Sequence, residues 1–495
     1  MKLKVKFLKW HAGLPVAMLN HRTADKLGVQ IQGNISIKTL SKHPREMSTI
    51  IDTIDKPYAK ENEILVSSEI KKEMRLENGE KVDVNLAQIP ESLSFIKKKL
   101  NNKRLSKKEI FTIVKDISKN SLTEPEIALF VAAMYKQGMS INETIDLIEA
   151  MIKCGNEFVV RGKYVVDKHS IGGVAGNRTT PVVVSICAAA GMIFPKTSSR
   201  AITSAAGTAD VIEAIAKVEF TPKELKKILK KTNAFIVWGG SLDMVPVDTK
   251  IIKVERDLNI DPKSQLIASI MSKKFAIGSK YILIDIPYGK TVKVNKKKAE
   301  ELKKEFLKLG KHFHKKIKCV LTDGSQPIGN GIGPVLELVD ITKILNPKEK
   351  GPRDLEKKSV FLAGQIFEMV GKAKKGEGEK MAEQFLSSGK AFKKFKEIIK
   401  AQGGSLNKLK KRAKFVNDIK SSKTLTIAEI DNKKINQLAR ITGCPVDKFS
   451  GIYLHNHVGE RVERGKKIIT IYSETASRLN QAIKFYHSEK PIKFR

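Results

Sequence analysis

Two stretches of this sequence concentrate side chains able to hold anions. The first, Asp167–Pro181, reads DKHSIGGVAGNRTTP, and the second, Pro195–Asp210, reads PKTSSRAITSAAGTAD. In both, small residues let main-chain N–H groups approach a bound anion, Ser and Thr hydroxyls donate, and Lys168 and Arg200 supply positive charge. A helix beginning near Thr208 would add the positive end of its dipole. The bland alternative, two tight turns without chemistry, accounts less well for two such clusters so close together. Neither is a Walker A loop, because no G-x-x-x-x-G-K-[ST] occurs. A third constellation is VERDLNIDPKSQLIASIMSKK, Val254–Lys274. A helix starting near Ser264 would set Ser269 and Lys273 at i and i+4 on one face. Asp261, just before it, is either an exposed helix-start residue or a proton donor, and spacing alone favours the first.

Other motifs are weaker. Gly329, Gly331 and Gly333 mimic part of a dinucleotide fingerprint but precede a Pro and lack the full G-x-G-x-x-G. His312/His314 and His455/His457 have H-x-H spacing without a nearby carboxylate or Cys, which argues against a metal site. The four cysteines lie far apart with no C-x-x-C pair, so reduced thiols are expected. The formal charge of +39 raises nucleic-acid binding as a rival reading. Against it, aromatics are only 6%, and 15 of the 92 basic residues are Arg, the side chain better suited to forked phosphate and base contacts. The Lys-rich remainder reads as solvated helix surface that draws in small anions.

The elements that must position these residues follow from hydrophobic periodicity. Residues 1–88 read as short period-2 strands with a loose internal repeat: VAMLNHRTADKLGVQIQGNISI from Val16 resembles ILVSSEIKKEMRLENGEKVDV from Ile64. Two copies predict a small pseudo-symmetric β-barrel. Residues 89–160 change to period 3.6, with Ser, Thr or Asn N-caps, and form a helical domain. Residues 161–410 alternate strand-like runs (PVVVSICAAAG, FIVWGG, YILIDIP, KIKCVLTDG) with helices, the pattern of an α/β domain. GKAKKGEGEK from Gly371 reads as a loop, and residues 411–495 as a β-rich domain. No run of about 18 uncharged apolar residues and no secretory-type N-terminus occurs, so a cytoplasmic protein without membrane insertion is expected.

With these elements in place, KHSIGGVAGN, PKTSSRAITSAAGTAD, WGGSLDMVP, ASIMSKK and DGSQPIGNGIGP together resemble the thymidine and pyrimidine nucleoside phosphorylase family, over essentially the whole chain. The S-R-A-I-T-S-x-A-G-T segment and the β-rich extension resemble its archaeal branch acting on AMP. The resemblance implies an α/β fold of the nucleoside phosphorylase and phosphoribosyltransferase type, with helical and α/β domains flanking a cleft that closes on substrate and with residues 246–278 packing on the helical domain. It implies phosphorolysis of AMP, with CMP and UMP as further substrates, to free base and ribose 1,5-bisphosphate. Lys168, Ser170, Ser198 and Thr208 match the family's phosphate-holding positions, with Thr179 or Thr180 matching another hydroxyl. Gly173, Ser199, Arg200, Ala201, Ile202, Thr203, Ser204, Thr208, Ser269 and Lys293 match AMP-binding positions, and Asp261 matches a proposed proton donor. No metal or organic cofactor is implied; phosphate is a co-substrate, and a homodimer or higher homo-oligomer is expected. Ala175 and Ala205 stand where many relatives have Pro, which predicts somewhat more flexible loops. The barrel and the C-terminal tail carry no inferred chemistry beyond assembly or a lid. The rival within enzymes is a nucleoside phosphorylase acting on thymidine or uridine.

Overall fold

The computed structural model describes every residue except 9–12, 14, 56, 202, 203 and 412, so Ile202 and Thr203 lie outside the described residues. The chain divides into two units, residues 1–155 with 245–272, and residues 156–244 with 273–495.

The first unit opens with β1 (Lys2–Phe7), β2 (Val16–Leu19), α1 (His21–Leu27), β3 (Asn34–Thr39), β4 (Glu46–Thr53), β5 (Glu63–Val66), α2 (Ser68–Met74) and β6 (Lys81–Leu86). The six strands close into a barrel in the order β1-β5-β2-β4-β3-β6. Alternation sets its interior: Leu3 and Val5, Ile35 and Ile37, Val82 and Val84 all point inward. The internal repeat is visible as β2-α1-β3 and β5-α2-β6. The following helices are α3 (Ser92–Leu100), α4 (Lys107–Ser118), α5 (Glu124–Gln137) and α6 (Ile141–Lys153). α4, α5 and α6 each start on a capping box, Ser106/Glu109, Thr123/Glu126 and Ser140/Glu143, which satisfies end N–H groups reciprocally.

The second unit carries β7 (Val166–Ser170), α7 (Thr179–Ala189), β8 (Phe194–Ser198), α8 (Thr208–Glu213), α9 (Pro222–Thr232) and β9 (Ala234–Trp238). α10 (Pro246–Leu258) and α11 (Lys263–Ala276) follow; α10, and α11 as far as Ser272, belong to the first unit. There Lys250 on α10 donates to the carbonyls of Ile117 and Ser118, closing the C-terminal end of α4. β10 (Tyr281–Tyr288), α12 (Lys296–His312) and β11 (Lys316–Asp323) complete the strands of interest. β11-β10-β7 are parallel, β8-β9 are parallel, and a Val165–Ile193 bridge joins the two sets. All five strands therefore end at one edge, where open parallel sheets bind ligands.

The rest of this unit holds β12 (Gly331–Ile332), α13 (Pro334–Leu345), α14 (Arg353–Val370), α15 (Gly378–Ser387) and α16 (Lys390–Ala401). After them come β13 (Phe415–Lys420), β14 (Leu425–Ile430), α17 (Asn432–Ile441), β15 (Gly451–Leu454), β16 (Arg461–Val462), β17 (Lys467–Ser473), α18 (Ala476–Glu489) and β18 (Ile492–Phe494). They build two sheets, β12-β15-β17-β13 and β16-β14-β18, over a core of their own.

Three local expectations change. PVVVSICAAAG is not a strand but the core of α7, buried on every side; an apolar run without periodicity fits a buried helix as well as a strand. The strand before it is the polar VDKHS, whose side chains serve the site. The helix at Thr208 has only six residues. Among the cysteines, Cys187 and Cys444 are buried and none forms a disulfide. Burial pushes the thiols up, Cys319 and Cys444 to about 12.

Candidate active site

The two loops read from the sequence follow β7 and β8 and so leave the same sheet edge. Lys168 lies on β7 with its side chain fully buried, and its Nζ donates to Thr179 Oγ1 at 2.7 Å. Between Thr179 and Thr180, Thr179 is thus the hydroxyl that meets Lys168. Burial, helped by Lys358 and Arg178 and opposed by Asp285 and Asp167, pushes Lys168 down to about 8. Asp167, its neighbour on the strand, takes Lys196 at 3.2 Å and Lys274 at 2.7 Å. Lys274 is held to about 7, chiefly by burial. Asp285 on β10 accepts from Thr322 Oγ1 at 2.6 Å and faces Lys358 at 3.4 Å. Burial raises the Asp285 carboxyl, but Lys358, Lys168 and hydrogen bonds from Thr322 and Ser170 outweigh it and hold it low. His169 is kept neutral by burial and four neighbouring lysines, well below the usual imidazole range.

Four buried lysines therefore share two buried aspartates. This excess of ammonium over carboxylate is costly unless an anion arrives. On β8 and in the first loop, the hydroxyl oxygens of Thr197 and Ser198 and the amide oxygen of Asn177 are buried without a hydrogen-bond partner among the described residues. Of these groups, Asp167, His169, Asn177, Lys196, Thr197, Lys274, Asp285 and Lys358 were not singled out in the sequence.

Arg178, also unsingled, links the two loops. It pairs through Nε with buried Glu337, donates from Nη1 to Thr208 Oγ1 at 3.0 Å and from Nη2 to the Ala206 carbonyl at 2.7 Å. The second loop is closed by Asp210, whose Oδ2 accepts from Ala201 N at 2.7 Å and Gly207 N at 2.8 Å. A Cβ at Gly207 would lie 2.4 Å from the Ser199 carbonyl oxygen, so this closure needs glycine. In the first loop, Gly173 has φ +98°, and a Cβ there would lie 2.8 Å from the main-chain nitrogen of Lys293. Gly173 and Lys293 are thereby neighbours.

Arg200 does not present an uncommitted charge. Its Nη1 and Nη2 bind Glu213 at 2.8 and 2.7 Å, Nη2 reaches Glu219 at 2.9 Å, and the guanidinium lies over Trp238. Those carboxylates raise the guanidinium further still. The charge of Arg200 is thus already shared by Glu213 and Glu219, which tie the guanidinium to the end of α8 and to the residues that follow it. Ser199 is exposed, and Ser204 donates to the Ala206 carbonyl at 2.6 Å. Asp261 and Ser269 belong to the first unit; Asp261 is exposed in the connection between α10 and α11, so burial within its unit does not shield it. Ser269 and Lys273 do share one face of α11 at i and i+4. In the second H-x-H pair, His455 meets Thr470 Oγ1 at 2.8 Å and His457 meets Asn330 Oδ1 at 3.1 Å.

Three stretches of the chain match known families. Residues 93–155 match the glycosyl transferase family, helical bundle domain; residues 162–392 match the glycosyl transferase family, a/b domain; and residues 426–493 match the pyrimidine nucleoside phosphorylase C-terminal domain. The chain is 40% identical to an AMP phosphorylase of Methanococcus aeolicus, over 99% of this chain and 97% of that protein. It is 41% identical to an AMP phosphorylase of Thermococcus kodakarensis, over 100% of this chain and 98% of that protein. In structure it resembles anthranilate phosphoribosyltransferase from Thermus thermophilus, with a TM-score of 0.53 at 16% identity, covering 62% of this chain and 99% of that one, a likeness of fold.

Proposed function

Because the chain belongs to the AMP phosphorylase family, we propose that the loops after β7 and β8 hold the two anions of one reaction. The reaction is phosphorolysis of AMP: inorganic phosphate attacks C1′ of the ribose, the glycosidic bond breaks, and the enzyme acts as a pentosyltransferase. The products are adenine and ribose 1,5-bisphosphate.

In this reading Lys168, Ser170, Thr179, Ser198 and Thr208 hold the attacking phosphate. Gly173, the Ser199–Ser204 segment, Thr208, Ser269 and Lys293 hold AMP, with Arg200 acting through the loop it braces. As the glycosidic bond loosens toward an oxocarbenium-like state, adenine leaves as a poor anion unless N7 takes a proton. Asp261 supplies that proton. Fixed hydroxyls and ammonium groups hold the attacking oxygen in line, so the charge they meet in the transition state needs no further reorganisation.

The observation that carries the reading is the buried excess of lysine over aspartate beneath two hydroxyl-rich loops at one sheet edge. No organic cofactor or metal enters this chemistry, and a cytoplasmic homodimer or higher homo-oligomer is part of the same proposal. The test is phosphate-dependent base release from AMP, CMP, UMP, adenosine, thymidine and uridine at equal concentration. AMP is expected to outrun adenosine by a wide margin, whereas preference for an unphosphorylated nucleoside would replace this reading by the nucleoside phosphorylase one.

A further inference from the structure

The loops that bear the substrate-holding residues are not held by their own domain alone. α17 begins on Asp431, whose side chain accepts from Lys433 N and Lys434 N, and it presents polar side chains toward the sheet edge at i, i+4 and i+8. Asn432 is fully buried. Its Oδ1 accepts from Ala175 N of the first loop at 2.9 Å, and its Nδ2 donates to Thr291 Oγ1 and to the Gly324 carbonyl, both at 3.1 Å. Asn436, 5% exposed, accepts from Ala205 N of the second loop at 2.9 Å and donates back to the Asn432 carbonyl at 2.9 Å. Arg440 donates from Nε to the Ser204 carbonyl at 3.1 Å.

Burying two asparagines costs free energy unless their amides are used, and here they are used on the loops of a different sheet. Ala175 and Ala205 also insert their methyl groups into the hydrophobic core around α17, beside Ile435, Leu438 and Ala439. Both loops are therefore pinned by a side chain and a main-chain N–H each, contrary to the looser loops that alanine at these positions predicts. A proline at either place could not donate this hydrogen bond.

We propose that Asn432, Asn436 and Arg440 on α17 are positioning residues that set the phosphate-holding loop and the nucleotide-holding loop at a fixed separation. The inference rests on the assignment of those loops to phosphate and AMP. It gives the C-terminal region a part in substrate geometry, where the sequence suggested assembly or a lid.

The test separates the loops. In the full-length enzyme, Asn436→Ala and Arg440→Ala should raise KM for AMP, the buried variant by about tenfold, with KM for phosphate within about twofold. Asn432→Ala should do the reverse, raising KM for phosphate by about tenfold. Gln437→Ala, exposed on the same helix, is the control and should change neither. Arg440 is exposed, so its variant remains informative if the buried ones do not fold. A fall in active fraction or melting temperature with both KM values unchanged, or equal rises of both, would make α17 merely structural and overturn the proposal. If wild-type enzyme releases no adenine from AMP, the reaction itself is misassigned. The positioning role is then decided by the dissociation constants of inorganic phosphate and AMP, measured by calorimetry on the same variants.

Discussion

Arg178→Met tests how the two loops are joined. The guanidinium is paired with Glu337, whose side chain is 1% exposed and, among the described residues, keeps Gly333 N, at 3.2 Å, as its other hydrogen-bond partner. Removing one member of a buried ion pair costs about 3–5 kcal/mol, because the other charge stays behind. Loss of the donors to Thr208 and Ala206 adds roughly 1 kcal/mol each. That total approaches the stability of a typical domain, so the single variant should accumulate poorly or melt early. Burial already pushes the Glu337 carboxyl up, and Arg178 is the main influence holding it down. A carboxyl raised in the folded state binds more protons folded than unfolded, so stability falls as pH rises through its folded pKa. Arg178→Met should therefore be less impaired near pH 5 than at pH 8. The double variant Arg178→Met/Glu337→Leu removes the stranded carboxylate and should recover most of the stability. It still lacks the donors to the second loop, so KM for AMP should stay about tenfold high. Denaturant unfolding of wild type, both single variants and the double at the two pH values, with AMP kinetics on the folded ones, is the assay. A double variant no more stable than Arg178→Met, or an Arg178→Met enzyme indistinguishable from wild type, refutes the bridge.

Asp261→Asn should keep AMP affinity by calorimetry while kcat falls by about 10²–10⁴-fold, and near-normal turnover removes Asp261 as proton donor. Since burial holds Lys168 to about 8, the empty site loses an ammonium above that pH and must regain the proton to bind phosphate. KM for phosphate should then rise by about tenfold per pH unit between pH 8 and 9.5. Lys168→Met should raise KM at neutral pH and flatten that profile; a flat wild-type profile contradicts the assignment. Gly207→Ala forces a Cβ against the Ser199 carbonyl and should weaken AMP binding more than phosphate binding, measured as separate dissociation constants.

Much of this architecture was legible because local rules and global fold agree. The barrel announced itself through alternation and a repeat, and the helical domain through Ser and Thr caps three residues before Glu. The two loops stood out because small, hydroxyl and basic residues crowd them in a way that a turn alone does not require. What stayed hidden is instructive. Lys358 and Lys274 sit in helices of a chain rich in lysine, so nothing local distinguishes a buried ammonium from a solvated one. Asp285 lies inside the apolar run YILIDIP, and its meaning depends on pairing with β7, more than a hundred residues earlier. Asn432 and Asn436 look like ordinary helix-start and surface residues until the fold brings the two loops to them. Arg178 was in view within its motif, but its reach to Thr208 and Glu337 is a tertiary fact.

The cysteines offer a use that has nothing to do with catalysis. Cys187 lies inside α7 and Cys444 packs beneath Gly333 next to α17, both closed to solvent and both with thiols too weakly acidic to react while covered. A thiol reagent can reach them only when the segment around each one opens, so their labelling rates clock two local opening reactions within one molecule. Added phosphate or AMP that slows modification of Cys444 would register occupancy of the loops from a sulfur atom in the C-terminal core, with no substitution made in the protein.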